Sequence, residues 1–121
     1  MPVRVLIADD HRLFAEALRA ILGGDRRIDV VGLAASGDEA VRKAKELEPD
    51  VVLMDISMPG MDGFEATREI LATQNDVQVV MVTGSDARQD IDAARTAGAK
   101  GYVTKDKIAA ELIGAILNTT A

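Results

Sequence analysis

The chain has 121 residues, enough for one domain and short for two. Its apolar share of 48% can fill one core, and with aromatics at 2% that core must be aliphatic. A formal charge of −6, with no basic run beyond Arg26-Arg27 and Arg42-Lys43-Ala44-Lys45, argues against a nucleic-acid surface, and the lack of cysteine excludes disulfides, thiolate metal sites and cysteine nucleophiles.

No apolar run is long enough to span a bilayer, and the N-terminus lacks a basic-then-apolar leader pattern. The expectation is a soluble, cytoplasmic chain, in keeping with the absent cysteines.

In chain order, VRVLIA (3–8) reads as a strand. HRLFAEALRAIL (11–22) has helical period, with Phe14, Leu18, Ile21 and Leu22 on one face and Gly23-Gly24 as its end signal. IDVVGLAA (28–35) is a second strand. Ser36 and Glu39 form a capping box that starts a helix running to about Glu48, before Pro49. VVLM (51–54) is a third strand, and a loop with Pro59-Gly60 leads to Asp62 and Glu65, a second capped start for a helix over about 64–73. VQVVMVT (77–83) is the fourth strand, DARQDIDAARTAG (86–98) a helix closed by Gly98, and GYVT (101–104) the fifth strand. The last helix covers about 107–118, with Ile108, Leu112, Ile116 and in part Ala109 and Ile113 facing inward.

This is βα five times, so the class is α/β with a parallel sheet covered on both faces. Strands that are apolar throughout, rather than alternating, agree with burial on both sides. There is no repeat, linker or low-complexity segment.

The polar residues gather at strand ends. The first strand ends in Asp9-Asp10, the third in Asp55, the fourth in Thr83, and Lys105 follows the fifth. Ligands of open α/β sheets bind outside the carboxyl ends of the strands, where the strand order reverses. With the order 2-1-3-4-5 the acids meet across that crevice, flanked by Thr83 and Lys105. Clustered carboxylates repel unless a cation or shared proton intervenes. Oxygen ligands without His or Cys suit Mg²⁺. A lysine beside them can hold a phosphoryl oxygen, a threonine hydroxyl can donate to another, and an aspartate can attack phosphorus to give an acyl phosphate. Taken singly, each residue has a plainer reading: Asp9-Asp10 as a helix cap, Asp55 as a loop acid, Thr83 as a strand end, Lys105 as a surface lysine, Tyr102 as an edge aromatic. Four strand ends together are poorly explained by coincidence.

The segments IADDHRLFAEALRAIL, VVLMDISMPGMDGFEA, VVMVTGSD and AGAKGYVTKD resemble, in position and order, the receiver domain of two-component response regulators over the whole chain. The DDH start and KGYVTKD end look most like the branch with a C-terminal LuxR-type helix-turn-helix domain. The resemblance implies a flavodoxin-like (βα)5 fold of order 2-1-3-4-5, spanning 1–121, with the output domain outside this chain. A stand-alone receiver acting through protein contacts is the alternative. It implies that Asp55 accepts a phosphoryl group from a histidine kinase and that Asp10, Asp55 and the Ser57 carbonyl ligate Mg²⁺, with Asp9 helping through water. Lys105 is expected to contact Asp55 and the phosphoryl group. Thr83 and Tyr102 are the switch pair, and Ser57, Ser85 and Gly84 tune access to the acyl phosphate. It also implies a homodimer on phosphorylation, DNA contact only through the output domain, and no enzymatic role beyond the domain's own phosphoryl transfer and loss. Where many receivers have Pro after the lysine, this chain has Asp106, expected to cap the last helix.

Two rivals are weaker. A haloacid-dehalogenase-type phosphatase wants a second Asp at the position of Ser57. A nucleotide-binding module wants a glycine-rich loop where ADDHRL stands.

Overall fold

A computed structural model describes residues 2–74, 76–84 and 88–119. Five strands alternate with five helices: β1 (Val3–Ala8), α1 (Arg12–Gly23), β2 (Ile28–Ala34), α2 (Gly37–Leu47), β3 (Val51–Met54), α3 (Gly63–Thr73), β4 (Gln78–Thr83), α4 (Arg88–Ala97), β5 (Gly101–Thr104) and α5 (Ile108–Thr119). The sheet is parallel, in the order β2-β1-β3-β4-β5. The fold expectation is met, and the reversal of strand order lies between β1 and β3.

All four residues of β3 and the last four of β1 are buried, because helices cover the sheet on both sides. Side chains alternate between two cores. Val5, Ile7, Leu53 and Val82 pack against α1 and α5, while Leu6, Val52, Met54 and Met81 pack against α2, α3 and α4. The buried seam of α1 is Ala15, Leu18 and Leu22; Phe14 is half-buried and Ile21 is exposed, so the core-facing stripe sits about one position away from the one expected. In α5, Ile108, Leu112 and Ile116 are buried as expected, Ile113 is half-buried and Ala109 is exposed.

Local signals fix two of the helix starts. Ser36 Oγ accepts from the Glu39 N–H at 3.1 Å, and Asp62 Oδ1 accepts from the Glu65 N–H at 2.9 Å. The Glu39 carboxylate reaches back to the Ala35 N–H, one residue before the cap. Asp106 is not a cap: the chain leaves β5 directly into a 3-10 turn, Lys105–Lys107, with Thr104 at the cap position and Asp106 inside the turn. Gly24 ends α1 in right-handed backbone, whereas Gly98 adopts φ +109° after α4.

Candidate functional site

Among the described residues the buried polar ones are Asp9, Asp55, Thr67 and Thr83, and three of the four stand at the carboxyl ends of β1, β3 and β4. Backbone bonds hold the two acids in place. The Asp9 N–H donates to Ala34 O, and the Asp55 N–H to Ala8 O, both at 2.9 Å. The ladder thus continues one residue past each strand and fixes where the carboxylates begin.

The turn after Asp55 is clamped by glycine. The Gly63 N–H donates to Ile56 O at 2.9 Å, and a Cβ at Gly63 would overlap the Asp55 carbonyl oxygen. The start of α3 therefore rests on the backbone of the acid itself. Sequence reading assigned Gly63 no such part, because the contact depends on how the loop folds back.

Asp9, Asp10, His11 and Asp55 each offer a ligand atom, all within 4.8 Å of one another. Asp9 and Asp55 are buried and Asp10 is exposed. Asp9 Oδ1 accepts from the His11 N–H at 2.8 Å, and His11 Nδ1 stands 3.2 Å from Asp9 Oδ1 and 3.2 Å from Asp10 Oδ1. Neither acid caps α1 through its side chain: the cap position is His11, which makes no side-chain cap bond. His11 was not assigned to the site from sequence, although its place two residues after Asp9 is the spacing of an Asx turn.

Lys105 pairs with Asp9, Nζ to Oδ2 at 3.5 Å, rather than with Asp55. Its ammonium lies 4.2 Å from the centre of the Phe14 ring, which holds it toward the β1 side of the crevice. The Asp55 carboxyl is pushed up to about 6, first by burial and then by the neighbouring Asp9 charge; Lys105 opposes the shift, Asp10 adds to it, and a bond from Ile56 N–H opposes it.

Thr83 is buried at the end of β4, and Tyr102 is half-buried against the α2–α4 core. Ser57 is exposed in the loop after Asp55, Gly84 is exposed with open space where a Cβ would stand, and Ser85 lies outside the described residues. A cleft of about 270 Å³ opens beside the acids, between α1 and the β2–α2 turn, and includes Arg12, Glu16 and Glu39.

The sequence matches the response regulator receiver domain family over residues 5–117. The chain belongs to that family. This receiver is 45% identical over 114 residues to the response regulator GacA of Pseudomonas viridiflava, covering 94% of this chain and 53% of the relative. It is 41% identical over 114 residues to the transcriptional regulatory protein LiaR of Bacillus subtilis, covering 94% and 54%. The chain spans about half the length of these curated relatives. Among solved structures it is similar to a LuxR-family two-component response regulator from Aurantimonas sp. SI85-9A1, with TM-score 0.94, 35% identity, and coverage of 99% of this chain and 86% of that one. It is also similar to the CheX-CheY-BeF3-Mg complex structure from Borrelia burgdorferi, with TM-score 0.92, 28% identity, and coverage of 100% and 91%. Among the described residues no helix is long and apolar enough to cross a membrane.

The donor set of this receiver fits a hard divalent cation. Three carboxylates converge, two of them buried, and octahedral ligands at about 2.1 Å from an ion stand about 3–4 Å apart, in keeping with the tight cluster here.

Proposed function

We propose that this receiver is phosphorylated on Asp55 by a histidine kinase in a Mg²⁺-dependent reaction, and that the acyl phosphate shifts its conformation to control an output. The observation that carries the reading is Asp55 itself: a buried carboxylate fixed at the end of β3, within 4.8 Å of Asp9 and Asp10 donor atoms, with the Lys105 cation in the same crevice.

In the proposed step an Asp55 oxygen attacks phosphorus, the P–N bond to the donor imidazole breaks, and its electron pair leaves with the imidazole. Burial and the Asp9 charge push the Asp55 carboxyl up to about 6 without the cation, and a cation on these acids would favour the ionised form that attacks. Asp10, Asp55 and the Ser57 carbonyl would hold Mg²⁺, with Asp9 acting through water. The cation, when bound, supplies positive charge against the acids and the incoming phosphoryl oxygens. Lys105 supplies a second positive charge, moving from Asp9 toward the phosphoryl group. Thr83 donates its hydroxyl to a phosphoryl oxygen in one conformer only, and that difference shifts a pre-existing equilibrium, about tenfold per 1.4 kcal/mol. Tyr102 follows Thr83.

The output in the full-length protein is transcription, through a DNA-binding domain following the receiver; the GacA, LiaR and LuxR-family relatives support this. A homodimer forms on phosphorylation, and the domain works in the cytoplasm. The exposed Ser57 gives water an open path to the acyl phosphate, so the phosphorylated state is short-lived to moderately lived. The phosphatase reading loses to the family match and to Ser57 at the position of its second Asp.

Incubation with a small acyl phosphate and Mg²⁺ tests the reading. Wild type takes up one phosphoryl group per chain and Asp55→Asn takes up none. Equal incorporation in both refutes it.

A further inference from the structure

Among the described residues, Thr104 Oγ1 is the one buried side-chain polar atom without a hydrogen-bond partner. Native proteins leave few such groups, and each calls for a reason. The buried Thr67 shows the usual outcome: its Oγ1 lies 3.7 Å from Met81 Sδ, a weak acceptor within reach.

Thr104 and Thr83 are register partners and close the β4–β5 ladder. Facing residues on neighbouring strands point to the same side of a sheet, and residues two apart on one strand do so as well. Thr83, Thr104 and Tyr102 therefore share the face that packs against α2, α3 and α4, where Met81 and Tyr102 are found. Threonines facing each other on paired strands stand close enough for a side-chain rotation to bring one hydroxyl to the other. A hydroxyl can donate one bond and accept others at the same time.

We propose that Thr104 is a positioning residue of the switch: its O–H donates to Thr83 Oγ1 in the conformer where Thr83 donates to the phosphoryl oxygen on Asp55. The chain of donors runs from Thr104 through Thr83 to the phosphoryl group, each bond polarising the next. The hydroxyl is orphaned in the resting arrangement and satisfied in the switched one. It therefore raises the free energy of the first relative to the second and links the end of β5 to events at Asp55. This rests on the phosphoacceptor reading and adds to it a residue that would neither touch the phosphoryl group nor ligate metal.

The test uses beryllofluoride with Mg²⁺ as a phosphoryl mimic, with affinity read by titration calorimetry. Thr104→Val keeps the shape and removes the hydroxyl; Thr104→Ser keeps the hydroxyl. The expected result is about tenfold weaker binding in Thr104→Val, within twofold of wild type in Thr104→Ser, and unfolding without the mimic at the same or a higher temperature in Thr104→Val. In a Thr83→Ala background, Thr104→Val should change the affinity less than twofold, because the hydroxyl it serves is gone. Equal affinity of wild type and Thr104→Val overturns the proposal, as does the same tenfold loss with Thr83 absent. A wild type that does not bind the mimic, or binds it as well as Asp55→Asn does, overturns the phosphoacceptor reading itself.

Discussion

The two halves of the sheet's carboxyl edge are built differently. All of β3 and the last four residues of β1 are buried, the ladder runs on through Asp9 and Asp55, and α3 sits on the Asp55 backbone through Gly63. At β4 and β5 the edge strand β5 has one buried residue in four, α4 buries only Ala94 and Ala97, and a hydroxyl goes unpaired. The first half fixes charges in space; in the second, β4 is as buried as β1, and the less buried part is the outer pair of β5 and α4. That division suits a domain in which one side performs chemistry and the other reports it.

Breaking the rigid half should have the largest effect. Gly63→Val drives a branched side chain into the Asp55 carbonyl, so we expect a loss of at least about 4 kcal/mol, the scale of severe core disruption, read as a collapse of the denaturant midpoint. A valine tolerated there would mean that α3 does not bear on Asp55.

The crowded acids should leave a pH signature of opposite sign. Because folding raises the Asp55 carboxyl from 3.8 to about 6, the folded state binds the proton more tightly. No penalty exists below about pH 4; it grows as pH rises and is complete above about pH 6, at about 3 kcal/mol for two pKa units. Without divalent cation, Asp55→Asn should therefore be more stable than wild type at pH 7.5, and the gap should close by pH 4. Adding Mg²⁺ should narrow it from the other side by stabilising wild type. A gap that is constant across pH would contradict the assigned cause.

Much of the candidate site was legible because the strands announce themselves and polar residues stand at their carboxyl ends. Asp9, Asp55 and Thr83 occupy the predicted edge, and Ser36 and Asp62 cap the helices they were expected to start. What could not be read depends on distant parts of the chain meeting. Lys105 lies over Phe14, 91 residues away in sequence, and is drawn to Asp9. Periodicity misplaced Ile21, since one helical turn offers two adjacent apolar stripes and packing against β1 and β2 selects between them. Asp106 has the right chemistry for a cap, but the 3-10 turn after β5 puts Thr104 at the cap position.

Smaller effects sharpen the contrast. Phe14→Leu removes the ring beneath Lys105 and should cost about 1 kcal/mol of stability, while freeing the ammonium from the β1 side. An unchanged midpoint together with unchanged phosphorylation would show the ring contact to be idle. Ser57→Met should prolong the acyl phosphate several-fold by narrowing the path for water; an unaltered rate of phosphate loss would remove Ser57 as a timer. Smallest of all, amides of β5 and α4 should exchange with solvent about tenfold faster than those of β1 and β3 before phosphorylation. Uniform protection would erase the distinction between the halves.

The most direct test of the account is chemical localisation. Borohydride reduces an aspartyl phosphate to homoserine, so the receiver can be phosphorylated with a small acyl phosphate and Mg²⁺, reduced, digested and sequenced by mass spectrometry. Homoserine is expected at position 55, dependent on Mg²⁺ and lost in Asp55→Asn. Homoserine at Asp9 or Asp10, or none anywhere despite phosphoryl uptake, would contradict it.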